Sequence, residues 1–171
     1  MLSIGLVNPK NVSNVGSVMR AAGCFGVDAV WYSGERYPRA RKFATDTKKS
    51  VQTIALQHTD SILETAGHNI ARVCVELVEG ATALPDYQHP LHACYVFGPE
   101  DGSLSQSMID RADDVVYIPS TGCLNLAASV NVVLYDRLAK LGYLHEGQSE
   151  NELIVRNRDC RNNLKLLQRT T

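Results

Sequence analysis

The sequence predicts an α/β fold with a mostly parallel sheet flanked by helices. Short β-branched runs alternate with helical stretches, and turns rich in Gly, Asn and Pro separate them. The chain has 171 residues, of which 44% are apolar and 20% charged, as in a soluble globular domain with an ordinary core. No apolar stretch approaches the roughly 18 residues of a spanning helix. No basic region precedes an apolar run at the start, so we expect no signal peptide.

The elements of the first half follow from periodicity and turn residues. Leu2–Val7 is predicted to be the first strand. Ser13 or Asn14 can cap the next helix, whose apolar positions have helical spacing and which ends at Gly26. The remaining predicted elements are a strand at residues 28–33, a strand at 51–56, a helix around 59–65 and a strand at 70–77.

The second half begins with residues 80–92, which contain one glycine and two prolines and are predicted to form a loop. A strand at Ala93–Phe97, a helix at 105–111 and a last strand at 114–118 follow. Residues 125–141 predict the longest helix, with no charge before Asp136. Such a helix is buried in its own domain or against another subunit. Its apolar stripe comprises Leu126, Val130, Val133, Leu134, Leu138 and Leu141.

Basic residues cluster in two segments although the net charge is only −1. Residues 34–50 and residues 155–171 each carry a local charge of +4. Because salt screens charges over about 10 Å, such patches attract a polyanion whatever the net charge. The alternative is that both basic segments are ordinary solvent-exposed surfaces that bind no polyanion. The basic residues are Arg36, Arg39, Arg41, Lys42, Lys48 and Lys49 in the first segment, and Arg156, Arg158, Arg161, Lys165 and Arg169 in the second.

The five cysteines form no CxxC pair and their number is odd. This usage favours reduced thiols and a cytoplasmic protein, and it argues against a zinc site. We therefore expect no metal.

The first of three turn segments is Asn14-x-Gly16-x-x-x-Arg20. Gly16 and Arg20 are four residues apart, so on a helix they share a face, with open space beside the arginine. A guanidinium near a helix N terminus is suited to clamp a phosphate. Taken alone, the segment is better explained by a surface arginine and a glycine that eases helix packing.

The second segment, Gly98-Pro99-Glu100-Asp101-Gly102-Ser103, directly follows a predicted strand. Glycine at that point lets a ligand approach the backbone. Glu100 can accept hydrogen bonds from a ribose or from Arg20, or it can cap the helix that begins near Ser105.

The third segment runs from Ile118 to Ala127, where a β-branched strand stops at Pro119. It offers backbone groups for the edge of a flat heterocycle at the carboxyl end of the sheet, where open α/β sheets bind ligands. It also places Asn125 at the start of an uncharged helix, where a simple N-cap is the structural alternative.

Together the three segments resemble the motifs of the SpoU/TrmH-type RNA 2′-O-ribose methyltransferases of the SPOUT superfamily. The resemblance covers about residues 1–143 as a catalytic domain and leaves residues 144–171 as a basic helical tail. It implies a C-terminal trefoil knot, S-adenosylmethionine as methyl donor and a homodimer. The corresponding segments are Asn14-x-Gly16-x-x-x-Arg20, Phe97-Gly98-Pro99-Glu100, and Ile118-Pro119 with Leu124-Asn125-Leu126.

The resemblance also implies roles for individual residues. Arg20 and Asn125 correspond to the family's catalytic positions. Asn14, Gly16 and Glu100 are the expected substrate-binding residues, to which the basic segment adds Arg39 and Arg41. The expected cofactor-binding residues are Leu77, Gly98, Ile118, Pro119, Cys123 and Leu124.

Many relatives have serine where this chain has Cys123, and the loop before it is short. A catalytically inactive RNA-binding or assembly protein on the same fold is therefore an alternative. A third hypothesis is an α/β enzyme that uses another nucleotide. The absence of a phosphate-binding lysine and of a glycine fingerprint argues against it. Because almost nothing precedes the first strand, RNA contacts are expected from the catalytic domain, and tRNA is favoured over rRNA by analogy.

Overall fold

The computed structural model of the protein describes residues 1–43, 54–143 and 148–166. The chain divides into two units, Met1–Leu141 and Gly142–Thr171. In the first unit, the strands of the described residues form one parallel sheet in the order β3-β2-β1-β6-β4-β7-β5. These strands are β1 (Leu2–Val7), β2 (Ala29–Ser33), β3 (Leu56–His58), β4 (Ala71–Val75), β5 (Thr82–Ala83), β6 (Ala93–Phe97) and β7 (Asp114–Tyr117).

α-Helices connect β1 to β2, β2 to β3, β3 to β4 and β6 to β7, as is usual for parallel strands, whereas the connections on either side of β5 contain no α-helix. The predicted fold class is therefore confirmed, while the trefoil knot stays a prediction. No helix in the described ranges is long and apolar enough to cross a membrane. The helices of the first unit are α1 (Val12–Cys24), α2 (Arg36–Phe43), α3 (Ile62–Thr65), α4 (Gln106–Ile109) and α5 (Leu126–Leu141), with a 3₁₀ turn at Leu84–Asp86; α6 (Glu150–Asn157) belongs to the second unit.

The core lies on both faces of the sheet, because successive strand residues point to opposite sides. Ile4 and Leu6 of β1 pack in one buried cluster with apolar residues of α1 and α5. On the other face, Ile62 of α3 packs with Trp31 and Val96 in a second cluster. The sheet is thus held between two helical layers.

Helix α5 is anchored by polar groups as well as by its apolar stripe. The imidazole of His89 is fully buried and hydrogen-bonds to the Tyr95 hydroxyl at 2.6 Å and the Asp136 carboxylate at 2.8 Å. Burial lowers the pKa of His89, and the hydrogen bond to Asp136 opposes this only in part. Arg137 donates to the carbonyls of Pro90 and Leu91, both at 2.8 Å. These contacts fix α5 against the segment before β6.

Several predicted boundaries hold. The strands predicted at 2–7 and 93–97 have those bounds, and Gly26 follows the end of α1 with a positive φ of 65°. The strands predicted at 28–33, 70–77 and 114–118 form within those ranges, as do the shorter helices α3 and α4. The long helix is confirmed from Leu126 to Leu141, although Leu141 is exposed.

Other predictions were wrong. Helix α1 is capped by Asn11 and not by Ser13 or Asn14. The side-chain oxygen of Asn11 accepts hydrogen bonds from the backbone N–H groups of Ser13 and Asn14. Residues 80–92 are not all loop, since β5 pairs with β7 and a 3₁₀ turn follows it.

Two further boundaries differ. The tail helix was predicted to extend to about residue 167. It ends at Asn157, because the next residue, Arg158, has extended backbone. The strand predicted at 51–56 begins only at Leu56, and residues 51–53 lie outside the described part.

Candidate active site

A pocket of about 220 Å³ lies where the segments that follow β4, β6 and β7 meet. These three strands are adjacent and parallel, so their carboxyl ends open at the same edge of the sheet. The walls combine apolar side chains with backbone groups of the turns. The lining residues are Val75, Glu76, Leu77, Phe97, Gly98, Pro99, Glu100, Gly102, Tyr117, Ile118, Ser120, Gly122, Cys123, Leu124, Leu126 and Ser129.

Most residues expected at the cofactor lie together in this pocket. They are Leu77, Gly98, Ile118, Cys123 and Leu124, which come from three separate segments of the chain. Pro119 does not line it. It lines a neighbouring apolar hollow with Val132 and Tyr135 of α5, because the chain turns away after Ile118, which borders both spaces.

Glu100 joins the first two motif segments. Its carboxylate accepts hydrogen bonds from the backbone N–H of Lys10 at 2.8 Å, the N–H of Asn11 at 3.0 Å and the amide of Asn14 at 3.2 Å. Burial tends to raise the pKa of Glu100, but these donors outweigh it and hold the pKa below its ordinary value. A carboxylate that is ionised at the N terminus of α1 also suits the helix dipole.

Of the roles suggested for Glu100, the contact with Arg20 and the cap of the next helix are not what the structure shows, while the contact with a ribose stays a prediction. Arg20 is not among its hydrogen-bond partners. The helix that begins near Ser105 is capped by Ser105 itself, whose side chain accepts a hydrogen bond from Met108. Glu100 positions the start of α1 instead.

Asn125 begins α5 as expected of an N-cap. Its side-chain oxygen accepts a hydrogen bond from the backbone N–H of Ala128 at 2.8 Å. The structural interpretation of Asn125 is thus confirmed. Its neighbours Leu124 and Leu126 line the pocket, whereas Asn125 itself does not.

Gly16 and Arg20 lie on one exposed face of α1. A Cβ added at Gly16 would meet no atom within 4 Å, so space is open beside the helix. Neither residue lines the pocket. Among the described residues, no hydrogen bond or ion pair engages the Arg20 guanidinium.

The basic segment divides into paired and unpaired residues. Arg36 forms a two-point ion pair with Asp101, with both distances 2.8 Å, and Lys10 approaches the same carboxylate at 3.3 Å. The hydrogen bond from Arg36 is the main reason that the pKa of Asp101 is lowered to about 2. Arg39 and Arg41 of α2 are exposed, and neither guanidinium has an ion pair within the ranges described. Lys48 and Lys49 lie outside those ranges, as does Arg169 of the tail.

Sequence reasoning missed two acidic residues of this region. Asp101 follows Glu100 directly, and an acidic pair after a strand and a Gly-Pro turn was the available signal. Glu76 was assigned to the interior of a strand, whereas β4 ends at Val75 and the Glu76 side chain lines the pocket.

Similarity to characterised proteins agrees with this arrangement. The chain is 28% identical over 183 residues to tRNA (cytidine-2'-O-)-methyltransferase TrmJ of Methanocaldococcus jannaschii, which covers 91% of this chain and 79% of the archaeal protein. It is also 28% identical over 147 residues to 23S rRNA (guanosine-2'-O-)-methyltransferase RlmB of Acinetobacter baylyi, covering 79% of this chain. The chain spans only 58% of the length of the Acinetobacter protein.

Solved structures share the fold at lower identity. The SpoU methyltransferase AviRb of Streptomyces viridochromogenes, determined in complex with AdoMet, has a TM-score of 0.66 and 21% identity, covering 82% of this chain and 58% of that one. A structure described as giving insights into the 2-OH methylation of C/U34 on tRNA has a TM-score of 0.67 and 23% identity. The match covers 82% of this chain and 91% of that chain. The family model described as SpoU rRNA Methylase family matches residues 1–135 of this chain. The chain belongs to the SpoU rRNA methylase family.

Proposed function

We propose that this protein transfers a methyl group from S-adenosylmethionine to a ribose 2′-hydroxyl of RNA, with tRNA favoured over rRNA. The observation that carries the proposal is that the second and third motif segments line one pocket, and that Glu100 of the second segment joins the first segment at the start of α1. Family membership supports the reaction class. The tRNA preference is supported by similarity to a tRNA methyltransferase along 91% of the chain.

The residues of the pocket fit S-adenosylmethionine. Ligand pockets are mostly apolar with a few placed polar groups, and here Leu77, Ile118 and Leu124 supply apolar walls. A side chain at Gly98 would lie 3.3 Å from both a Glu76 carboxylate oxygen and the backbone nitrogen of Leu104. Glycine therefore avoids a tight contact with Glu76 and Leu104 at this position in the pocket wall. The cofactor, when bound, supplies an already activated methyl group, so the enzyme has mainly to align its substrate.

Arg20 is proposed to bind the target nucleotide. A guanidinium stays protonated in proteins, so Arg20 does not serve as a base. It can instead clamp a phosphate through two hydrogen bonds and stabilise negative charge that develops on the ribose oxygen. The open space at Gly16, one helical turn away, admits a nucleotide beside it. The ribose proton leaves to phosphate or water.

Glu100 and Asn125 complete the proposed site in different ways. Glu100 holds Asn14 and the first turn of α1, and so sets where Arg20 lies relative to the pocket. Asn125 remains our second catalytic residue, since it begins α5 beside the pocket-lining Leu124.

RNA binding outside the pocket is proposed for Arg39 and Arg41, which are exposed on α2. Phosphate contacts of this kind give affinity without sequence specificity. A homodimer is proposed because α5 exposes the apolar side chains of Val132 and Tyr135 beside an apolar hollow. A cytoplasmic location is proposed from the five cysteines, all of which are free.

The test is methyl transfer from labelled S-adenosylmethionine to total RNA from cells that lack this gene. Wild type, Arg20→Ala and the control Arg111→Ala are compared, and the tRNA and ribosomal fractions are separated afterwards. Arg111 is a suitable control because it is exposed and its guanidinium pairs only with the exposed Glu64 among the described residues.

We expect label in the tRNA fraction that is lost with Arg20→Ala and kept with Arg111→Ala. Label confined to rRNA would contradict the substrate preference while leaving the reaction intact. A folded wild-type protein that neither transfers label nor binds the cofactor would contradict the proposed reaction and favour an RNA-binding protein on the same fold.

A further inference from the structure

Glu76 is a carboxylate inside the pocket to which neither the motifs nor the proposed reaction assigns a role. It is the first residue after β4, between Val75 and Leu77, and all three line the pocket. Its side chain is half-buried. A charged group in such a place needs partners that offset the loss of water.

Both oxygens of this carboxylate are held by backbone groups. One accepts a hydrogen bond from the N–H of Leu77 at 3.0 Å, and the other from the N–H of Leu104 at 2.9 Å. Leu104 is buried, so the second contact ties the end of β4 to the turn after β6. The carboxylate is therefore held in a fixed orientation before any ligand binds.

The carboxylate keeps unused hydrogen-bonding capacity. Two carboxylate oxygens offer about four acceptor sites, and the two backbone donors occupy only half of them. No Lys, Arg or His within the described residues forms an ion pair with Glu76. The space toward Gly98 stays clear because that residue has no side chain. The carboxylate can therefore accept further hydrogen bonds from donors of a ligand in the pocket.

We propose that the Glu76 carboxylate binds the two hydroxyls of the cofactor's ribose. This inference rests on the proposed function, since it takes S-adenosylmethionine as the occupant of the pocket. Two adjacent hydroxyls are paired donors that match paired acceptor oxygens. An acidic side chain near the carboxyl edge of a parallel sheet is a proven ribose ligand in dinucleotide-binding folds. Here the contact would come from the end of β4, beside the glycine of the second motif segment.

The test is a comparison of binding affinities rather than of activity. Isothermal titration calorimetry measures the Kd of S-adenosylhomocysteine and of its 2′-deoxy and 3′-deoxy analogues for wild type, Glu76→Ala and Glu76→Gln. Glu79→Ala is the control, because Glu79 is exposed and does not line the pocket. S-adenosylmethionine is titrated in parallel, since it adds a positive charge at sulfur.

We expect wild type and Glu79→Ala to bind each deoxy analogue about tenfold or more weakly than S-adenosylhomocysteine, as for loss of a hydrogen bond to a charged group. In Glu76→Ala this ratio falls to about one, and in Glu76→Gln it falls to an intermediate value. A merely structural role in holding Leu104 would weaken all three ligands equally and leave the ratio unchanged. An unchanged ratio in a folded variant therefore overturns the proposal.

Three other outcomes are equally decisive. If Glu76→Ala weakens S-adenosylmethionine but not S-adenosylhomocysteine, the carboxylate serves the positive charge, and the ribose assignment is wrong. If wild type binds S-adenosylhomocysteine without discriminating against the deoxy analogues, the assignment is also wrong, while the proposed function survives. If wild type binds none of the adenosyl ligands, the proposed function is wrong, and the role of Glu76 that depends on it is wrong as well.

Discussion

Gly16→Ala separates the stability of α1 from its proposed role in substrate binding. Gly16 lies within α1, it is exposed, and an added Cβ would meet nothing within 4 Å. The substitution therefore carries no steric cost in the free protein. Alanine is more favourable than glycine in a helix interior by about 0.8–1 kcal/mol. For a chain of this size that gain corresponds to a rise in Tm of about 2–4 °C.

Activity is expected to change in the opposite direction. If the target nucleotide occupies the space between Gly16 and Arg20, a methyl group there obstructs its approach. A small displacement of reacting groups is enough to lower a rate by as much as about a hundredfold. We expect kcat/KM for RNA to fall by about tenfold or more, while the Kd of S-adenosylmethionine stays the same. Thermal unfolding, steady-state methyl transfer and cofactor titration measure the three quantities.

Gly23→Ala is the matched control. Gly23 lies two turns further along α1, is also exposed, and offers the same open space for a Cβ. It should gain stability without losing activity. Full activity of Gly16→Ala at a raised Tm would refute the idea that the gap receives substrate. A lower Tm would refute the premise that the position is sterically open.

Three further results are expected. Arg20→Lys should keep partial activity with weaker RNA binding, because lysine retains the charge but not the two-point geometry, and full activity would contradict the clamp. Gly5→Ala should lower the free energy of unfolding in urea by about 1–3 kcal/mol, since an added Cβ would collide with Ile62, and an unchanged midpoint would contradict this packing. Because burial holds the pKa of His89 below its ordinary value of 6.5, its contribution to stability is present above pH 6.5 and lost as pH falls through the lower folded pKa. His89→Gln should therefore flatten the dependence of unfolding free energy on pH below 6.5, and an unchanged slope would contradict this role.

The strands that the sequence predicted well are those whose signals are local. Leu2–Val7 and Ala93–Phe97 are apolar runs bounded by turn residues, and their bounds are the same in the structure. Strand β5 was missed because two residues between a glycine and a proline carry no periodicity. Its existence depends on pairing with β7, more than 30 positions away in the chain, which no local pattern reveals.

The same limit explains the cap of α1. Asn11, Ser13 and Asn14 are all good capping residues, so local chemistry did not distinguish them. The choice is made by Glu100, which draws the amide of Asn14 and the backbone of Asn11 toward the second motif segment. At the site, the motif segments predicted which turns converge, whereas the partners of Glu76 and Asp101 depend on side-chain directions that become apparent only in three dimensions.

The position of β6 in the sheet has a consequence for how the protein is made. Leu2 of β1 pairs with Ala93 of β6, 91 positions further along, and β4 takes the other side of β6. During synthesis, β1 and β4 emerge before the strand that belongs between them, and each presents an unsatisfied edge until β6 arrives. Long-range parallel pairing forms slowly. Until β6 has been synthesised and paired, the open edges of β1 and β4 are therefore exposed to aggregation with other chains.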